Sequence, residues 1–246
     1  MAGGGALYDL EYLTDADGRR IAAFGYWAGF AGAAVALKCL AAQAAGGLAG
    51  PLSRYSGRDA LVAEVAAALG TARPSVIVIG AKGRVGSGAT DLCRALGLPV
   101  TAWDIAETAH GGPFPEVLAH EVFLNCILAP PGCPVFVPES AKAAPRALRV
   151  IGDIACDPTS DFSPVKVYDR TIDRAAPALR VHDAPPLDVT AIDTLPSLLP
   201  VESSHDFAAQ LLPALATLDR PEAGVWARAR AEFDRHIIPP LKETRA

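Results

Sequence analysis

Val76-Ile77-Val78-Ile79 is an unbroken apolar run that ends on Gly80, and strands are predicted near 75–80, 99–104, 122–128 and 147–154. Strands buried on both faces read as continuous apolar stretches rather than alternating ones. The segments between these runs are helical or rich in loop residues, an order that predicts βαβ units and a parallel sheet. Ahead of them, residues 6–13 and 19–24 flank an Asp17-Gly18 turn and predict two short strands. An isolated pair of strands is barely stable, so this hairpin is expected to add to a sheet or pack on a partner. A helix of small residues follows from Gly25 to about Gly46, then a loop with Pro51 and Gly57, then a helix from about Asp59 to Leu69. Residues 158–186, rich in Pro and Asp, predict irregular sheet and loop, with strand-like pieces at 165–168 and 179–182. Apolar residues recur at helical spacing in Phe207, Leu211, Leu212 and Leu215, and again in Val225, Ala229, Phe233 and Ile237. Two helices therefore close the chain.

The first strand runs into Ala81-Lys82-Gly83-Arg84-Val85-Gly86-Ser87-Gly88, and the next one ends on Trp103-Asp104. A glycine-rich turn between a strand and a helix brings backbone N–H groups up to a pyrophosphate at a helix N-terminus. An acid at the end of the following strand accepts bonds from a ribose, and its charge favours NAD over NADP because it repels a 2'-phosphate. The glycines at 80, 83 and 86 depart from strict GxGxxG, so the signal comes from the strand, turn, helix and acid together. Gly152-Asp153-Ile154-Ala155-Cys156-Asp157 also leaves a strand, and its end is expected at the carboxyl edge of the sheet, where ligands of open α/β folds bind. Arg19-Arg20 reads either as a solvated turn or as a clamp for a carboxylate or phosphate.

Composition narrows the partners. The net charge is −5 and the 22 basic residues are spread along the chain, which excludes nucleic acid as the main partner and points to a small molecule. Five cysteines, at 39, 93, 126, 133 and 156, show no CxxC spacing, so reduced thiols in a cytoplasmic setting are expected, without a disulfide framework or a zinc knuckle. The five histidines lack ligand spacing, and no metal is expected. The N-terminus lacks the basic start and apolar core of a signal peptide. Residues 25–50 are apolar, but Lys38 divides them and small residues dominate, which favours a buried, closely packed helix over a membrane span.

Six segments together carry a resemblance: Leu7-Tyr8-Asp9-Leu10-Glu11, Gly18 to Gly25, Gly83 to Gly88, Trp103 to Thr108, Gly111-Gly112-Pro113-Phe114, and Ile192-Asp193-Thr194-Leu195-Pro196-Ser197-Leu198-Leu199-Pro200. In this order and register, from about residue 5 to about 237, the chain resembles the NAD-dependent, lysine-forming saccharopine dehydrogenases. The resemblance implies two domains of Rossmann-like topology, related to alanine dehydrogenase, and oxidation of saccharopine with NAD to lysine and 2-oxoglutarate. It assigns NAD contacts to Arg19, Gly83, Arg84, Asp104, Thr108, Leu128, Ile154, Ile192, Asp193, Thr194 and Leu195. It assigns substrate contacts to Arg20, Phe24, Ala155, Cys156 and Asp157. A guanidinium at Arg20 suits a substrate that carries three carboxylates.

The family's general base and acid, a lysine and a histidine, have no counterpart in the motifs of this sequence, and the resemblance places them upstream of Met1. The chain is thus expected to be an N-terminally truncated family member. Its α/β architecture would hold a remnant of the catalytic domain at 1–25, an NAD-binding Rossmann-like domain at 26–195, and helices at 196–246 that return to an incomplete second domain built from the two chain ends. Two other functions stay open on the sequence: a non-catalytic NAD-binding or interaction module, and a dehydrogenase of another amino acid or opine.

Overall fold

The computed structural model of the protein describes residues 6–237. Six strands form one sheet: β1 (Val76–Ile79), β2 (Val100–Trp103), β3 (Val122–Asn125), β4 (Val150–Asp153), β5 (Leu179–Asp183) and β6 (Pro186–Thr190). Their spatial order is β2-β1-β3-β4-β6-β5, parallel throughout except for β5, which runs antiparallel to β6 at one edge. The four predicted parallel strands are all present. Every residue of β1, β3 and β4 is buried, which is why β1 reads as a continuous apolar run and β3 and β4 as apolar runs that end on Asn125 and Asp153.

One face of the sheet, through Val76, Val78, Val122, Leu124 and Val150, packs on helices α1 (Gly25–Ala44) and α3 (Arg84–Ala95), with α2 (Arg58–Leu69) behind them. The other face, through Ile77, Ile79, Phe123, Ile151 and Val189, is covered by Val117 of α5 (Pro115–Ala119) and by Phe114, Phe136, Val137 and Tyr168. The small residues of α1 let it approach α3 backbone to backbone. A Cβ added at Gly29 would lie 1.8 Å from the Val85 carbonyl oxygen, and one at Gly88 would lie 1.9 Å from that of Tyr26. Among the described residues α1 is the only helix long and apolar enough to cross a membrane, and most of it is buried inside the protein. On its outer side Lys38 donates to the Tyr55 hydroxyl at 2.7 Å and bonds Glu64 of α2, and Tyr55 donates to the same carboxylate at 2.9 Å.

The chain divides into two units, Gly25–Glu202, which holds the sheet, and a smaller one formed by Met1–Phe24 with Ser203–Ala246. The boundary falls inside α6 (Pro200–Leu215). In the smaller unit Leu13 is fully buried with Ala214, and with Trp226 and Ala229 of α7 (Gly224–Ile237). The Trp226 indole N–H donates to the Ala214 carbonyl at 3.0 Å, Tyr8 meets its ring edge-on, and the Arg228 guanidinium donates twice to the Thr14 carbonyl.

Three sequence expectations need correction. The N-terminal hairpin reduces to its turn. Asp15 Oδ1 accepts from the N–H groups of Asp17 and Arg19 and Gly18 takes φ +78°, but pairing amounts to one isolated bridge between Thr14 and Arg20. Asp9 accepts from Glu11 N–H and bends Leu10–Tyr12 into a 3-10 turn, a side-chain competition that breaks the expected strand. Residues 165–168 are no strand either, since Val165 makes a single bridge to Val137 and the open edge of β4 is taken by β6. β6 itself was not expected.

Candidate functional site

Chain order reverses between β1 and β3, with β2 on one side of β1 and β3 and β4 on the other. In an open α/β sheet this switch point opens a crevice beyond the carboxyl ends of the strands, where ligands bind. The glycine turn sits there. Gly80 has φ +86°, and a Cβ on it would lie 2.4 Å from Ile127 Cγ2 and 3.1 Å from the Cys126 carbonyl oxygen, so the turn lies directly against the exit of β3. Gly80 and Ala81 donate to the Trp103 carbonyl at 2.9 and 3.0 Å, tying the turn to the end of β2 as well. Gly86 brings α3 down onto the turn, for a Cβ there would lie 2.0 Å from the Gly80 carbonyl oxygen. Gly83 is the N-cap of α3, and Arg84 begins the helix. The first-turn N–H groups, without carbonyl partners of their own in a helix, sit at this end of the sheet.

Asp104 follows β2 on the same edge. Its Oδ2 accepts from Lys82 N–H at 3.0 Å and its Oδ1 from Ile105 N–H at 2.9 Å, while Glu107 returns a bond to Asp104 N–H. These bonds fix the carboxylate beside the glycine turn and cap α4 (Ile105–Thr108), whose last residue, Thr108, bonds back to the Asp104 carbonyl. Leu128, 75% exposed, lies just beyond β3.

The positions that follow β4 and β6 also collect at this edge. Ile154, Ala155, Cys156 and Asp157 leave β4, and Ile192 to Leu195 follow β6. Ile154 and Leu195 are buried against α1, where a Cβ on Gly32 would fall within 3.0 Å of both. Cys156 is the only non-glycine residue at positive φ among the described residues, at +22°, a conformation that costs on the order of 1–3 kcal/mol unless its surroundings fix it. Its thiol donates to Asp193 Oδ1 at 3.0 Å. Burial, reinforced by Asp193, pushes this thiol well above the usual range, which keeps its thiolate fraction, and so its reactivity, low at neutral pH.

Sequence reasoning passed over a buried cluster under this turn. Asp153, the last residue of β4, is 1% exposed and accepts from Asn125 Nδ2 at 2.9 Å, Tyr168 OH at 2.8 Å and Cys156 N–H at 3.1 Å. Burial raises its carboxyl above the normal range, against the lowering by these three bonds. The available signal was polarity at the ends of two otherwise apolar strands, Asn125 and Asp153.

Arg19, Arg20 and Phe24 belong to the smaller unit. Arg20 pairs with Glu11 at 3.0 Å, both side chains being more than half exposed, and Phe24 stacks on Phe207 with ring centroids 4.5 Å apart. Gln210 fixes the backbone between them by donating to the Ala23 carbonyl and accepting from Ala23 N–H, each at 3.2 Å.

Comparison with known proteins agrees with this geometry. A solved L-alanine dehydrogenase matches 93% of the chain over 63% of its own, with a TM-score of 0.53 and 16% identity, a likeness of fold alone. No family model matches. Three curated relatives, each named saccharopine dehydrogenase [NAD(+), L-lysine-forming], are 46% identical in Neurospora crassa, 43% in Yarrowia lipolytica and 41% in Candida glabrata. They match 96%, 96% and 99% of this chain, which spans 67%, 69% and 70% of their lengths. With that identity across nearly every residue, and a Rossmann-type turn at the switch point of its sheet, the chain belongs to the NAD(+)-dependent, L-lysine-forming saccharopine dehydrogenase family.

Proposed function

We propose that this protein binds NAD at the carboxyl edge of its sheet and serves the NAD-dependent oxidative cleavage of saccharopine to L-lysine and 2-oxoglutarate. The observation that carries the reading is the turn at 80–86, closed so tightly that two of its glycines have no room for a side chain, with the Asp104 carboxylate fixed beside it. Those residues fit a dinucleotide. The turn and the start of α3 at Gly83 and Arg84 hold the pyrophosphate, Asp104 accepts from the ribose hydroxyls, and Thr108, Leu128, Ile154 and the segment Ile192 to Leu195 border the rest of the cofactor. Arg19 belongs to the same set.

Bound NAD supplies a hydride acceptor, and the chain's own residues bind and orient. Arg20 takes a substrate carboxylate in a two-point bond, exchanging its exposed partner Glu11 for the ligand. The resemblance also assigns substrate contacts to Phe24 and to Ala155, Cys156 and Asp157. The resemblance assigns proton transfer to a lysine and a histidine, and the residues named here bind and orient rather than act as general acid or base. Five unpaired thiols suit a cytoplasmic setting.

NADH fluorescence titration alongside saccharopine-dependent NADH formation tests this reading. Saturable NADH binding, with NADPH much weaker, is the expected result. Absence of NADH binding refutes the cofactor site, and NADPH binding as tight as NADH refutes the role given to Asp104.

A further inference from the structure

We propose that Asp153 is a positioning residue that sets the shape of the turn Ala155–Asp157 from below, and so sets substrate affinity without touching substrate. The inference rests on the reading that this turn contacts the substrate. Asp153 ends β4 with its carboxyl group sealed from solvent, and no cation pairs with it among the described residues. A buried carboxyl without a cation is unfavourable in an apolar core, and its retention is explained by what it gathers. Oδ1 joins the Asn125 amide at the end of β3 to the Cys156 N–H in the turn, and Oδ2 takes the Tyr168 hydroxyl from the covering layer.

The bond to Cys156 N–H fixes where the chain turns after β4. Cys156 is thereby held at positive φ, and its thiol reaches across to Asp193 after β6. Two exits of the sheet, one assigned to substrate and one to cofactor, are thus registered on one buried carboxyl. An apolar residue at 153 would fill the same space and leave the Cys156 N–H without its acceptor.

The test uses the full chain with Asp153→Ala, Asp153→Asn and Tyr168→Phe. The readouts are site-resolved alkylation of Cys156 by iodoacetamide, scaled to Cys133 in the same molecule, NADH affinity by fluorescence, and protection of Cys156 by saccharopine. Release of the turn in folded Asp153→Ala is expected to speed Cys156 labelling about tenfold, by local opening, with saccharopine protection lost and NADH affinity lowered less, because the turn is tied to the exit after β6 through the Cys156–Asp193 bond. Asp153→Asn retains an oxygen for the Cys156 N–H and is expected to restore slow labelling. Unchanged labelling in folded Asp153→Ala, or an asparagine variant as reactive as the alanine one, overturns the proposal. If the alanine variant does not fold, Tyr168→Phe, which removes one donor, is expected to raise labelling about threefold by the same opening, and no rise overturns the proposal. If the unaltered chain fails to bind NADH and saccharopine gives no protection, the functional reading falls, while the labelling ratios still decide whether Asp153 sets the turn.

Discussion

Replacing Gly86 by alanine separates a glycine required by space from one that is only permitted. The added Cβ would lie 2.0 Å from the Gly80 carbonyl oxygen and 2.6 Å from Ala81 Cα. A carbon rests at about 3.3 Å from a carbonyl oxygen, so the helix and the turn must separate by roughly 1 Å. Gly80 cannot retreat freely, because its N–H is bonded to the Trp103 carbonyl and the space beside it, where a Cβ would stand, is taken by Ile127 and the Cys126 carbonyl. Nor can α3 back away freely, since Gly88 lies against the backbone of α1. Such overpacking costs about 1–3 kcal/mol, which with a urea slope of about 2 kcal/mol/M lowers the midpoint by roughly 0.5–1.5 M. Gly83→Ala is the control. Its φ of −74° suits alanine and its Cβ would sit 3.4 Å from the Gly80 oxygen, an ordinary contact. The reduced freedom of its unfolded chain and the weaker N-cap offset each other, leaving it within about 0.5 kcal/mol of the unaltered protein. Urea unfolding read by far-UV circular dichroism, with NADH titration of each variant, is the assay. Equal midpoints for the two variants, or full NADH affinity in Gly86→Ala, refute the close approach of α3 to the turn.

Other outcomes follow from single contacts. Asp104→Ala is expected to lower NADH affinity at least about tenfold and to cost about 1 kcal/mol through the lost cap, while Asp104→Asn narrows the preference for NADH over NADPH; fluorescence titration measures both. Glu64 is held below its usual range by the bond from Lys38, so its contribution to stability is present above the unfolded value of about 4.3 and is lost as pH falls through the lower folded value. The stability difference between the unaltered chain and Glu64→Gln is therefore expected at pH 7 and vanishes in acid, as urea curves across pH will show. Trp226→Ala empties the core of the smaller unit at a cost of about 3–5 kcal/mol, read as faster hydrogen exchange at Leu13 and Ile21.

The sheet's first half was legible because its signals are local. A buried parallel strand shows as an apolar run, its exit as glycine, and the acid of the next strand stands at a fixed remove, so β1, the turn, α3 and Asp104 could be placed from order alone. What was missed depends on distant partners. β6 carries a fully buried Asp188 at its centre, which reads as a loop residue until Arg180 of β5 and Gln43 of α1 are brought to it. Asn125, Asp153 and Tyr168 are spread over more than forty positions and acquire meaning only when two strands end side by side. At the N-terminus the turn residues were read correctly, but Asp9 and Asp15 spend their carboxylates on the backbone, and alternation of apolar residues did not suffice to make strands.

The antiparallel strand β5 decides how the sheet meets its surroundings. Pairing between β5 and β6 shifts register between Arg180 and His182, and the strand's five residues include Arg180, His182 and Asp183. A short, charged, irregular outer strand is a poor template for another chain's backbone. The parallel core can therefore keep long-buried aliphatic strands without offering them to a neighbour, and smoothing β5 into a regular valine-rich strand would be expected to turn a soluble sheet edge into a seed for aggregation.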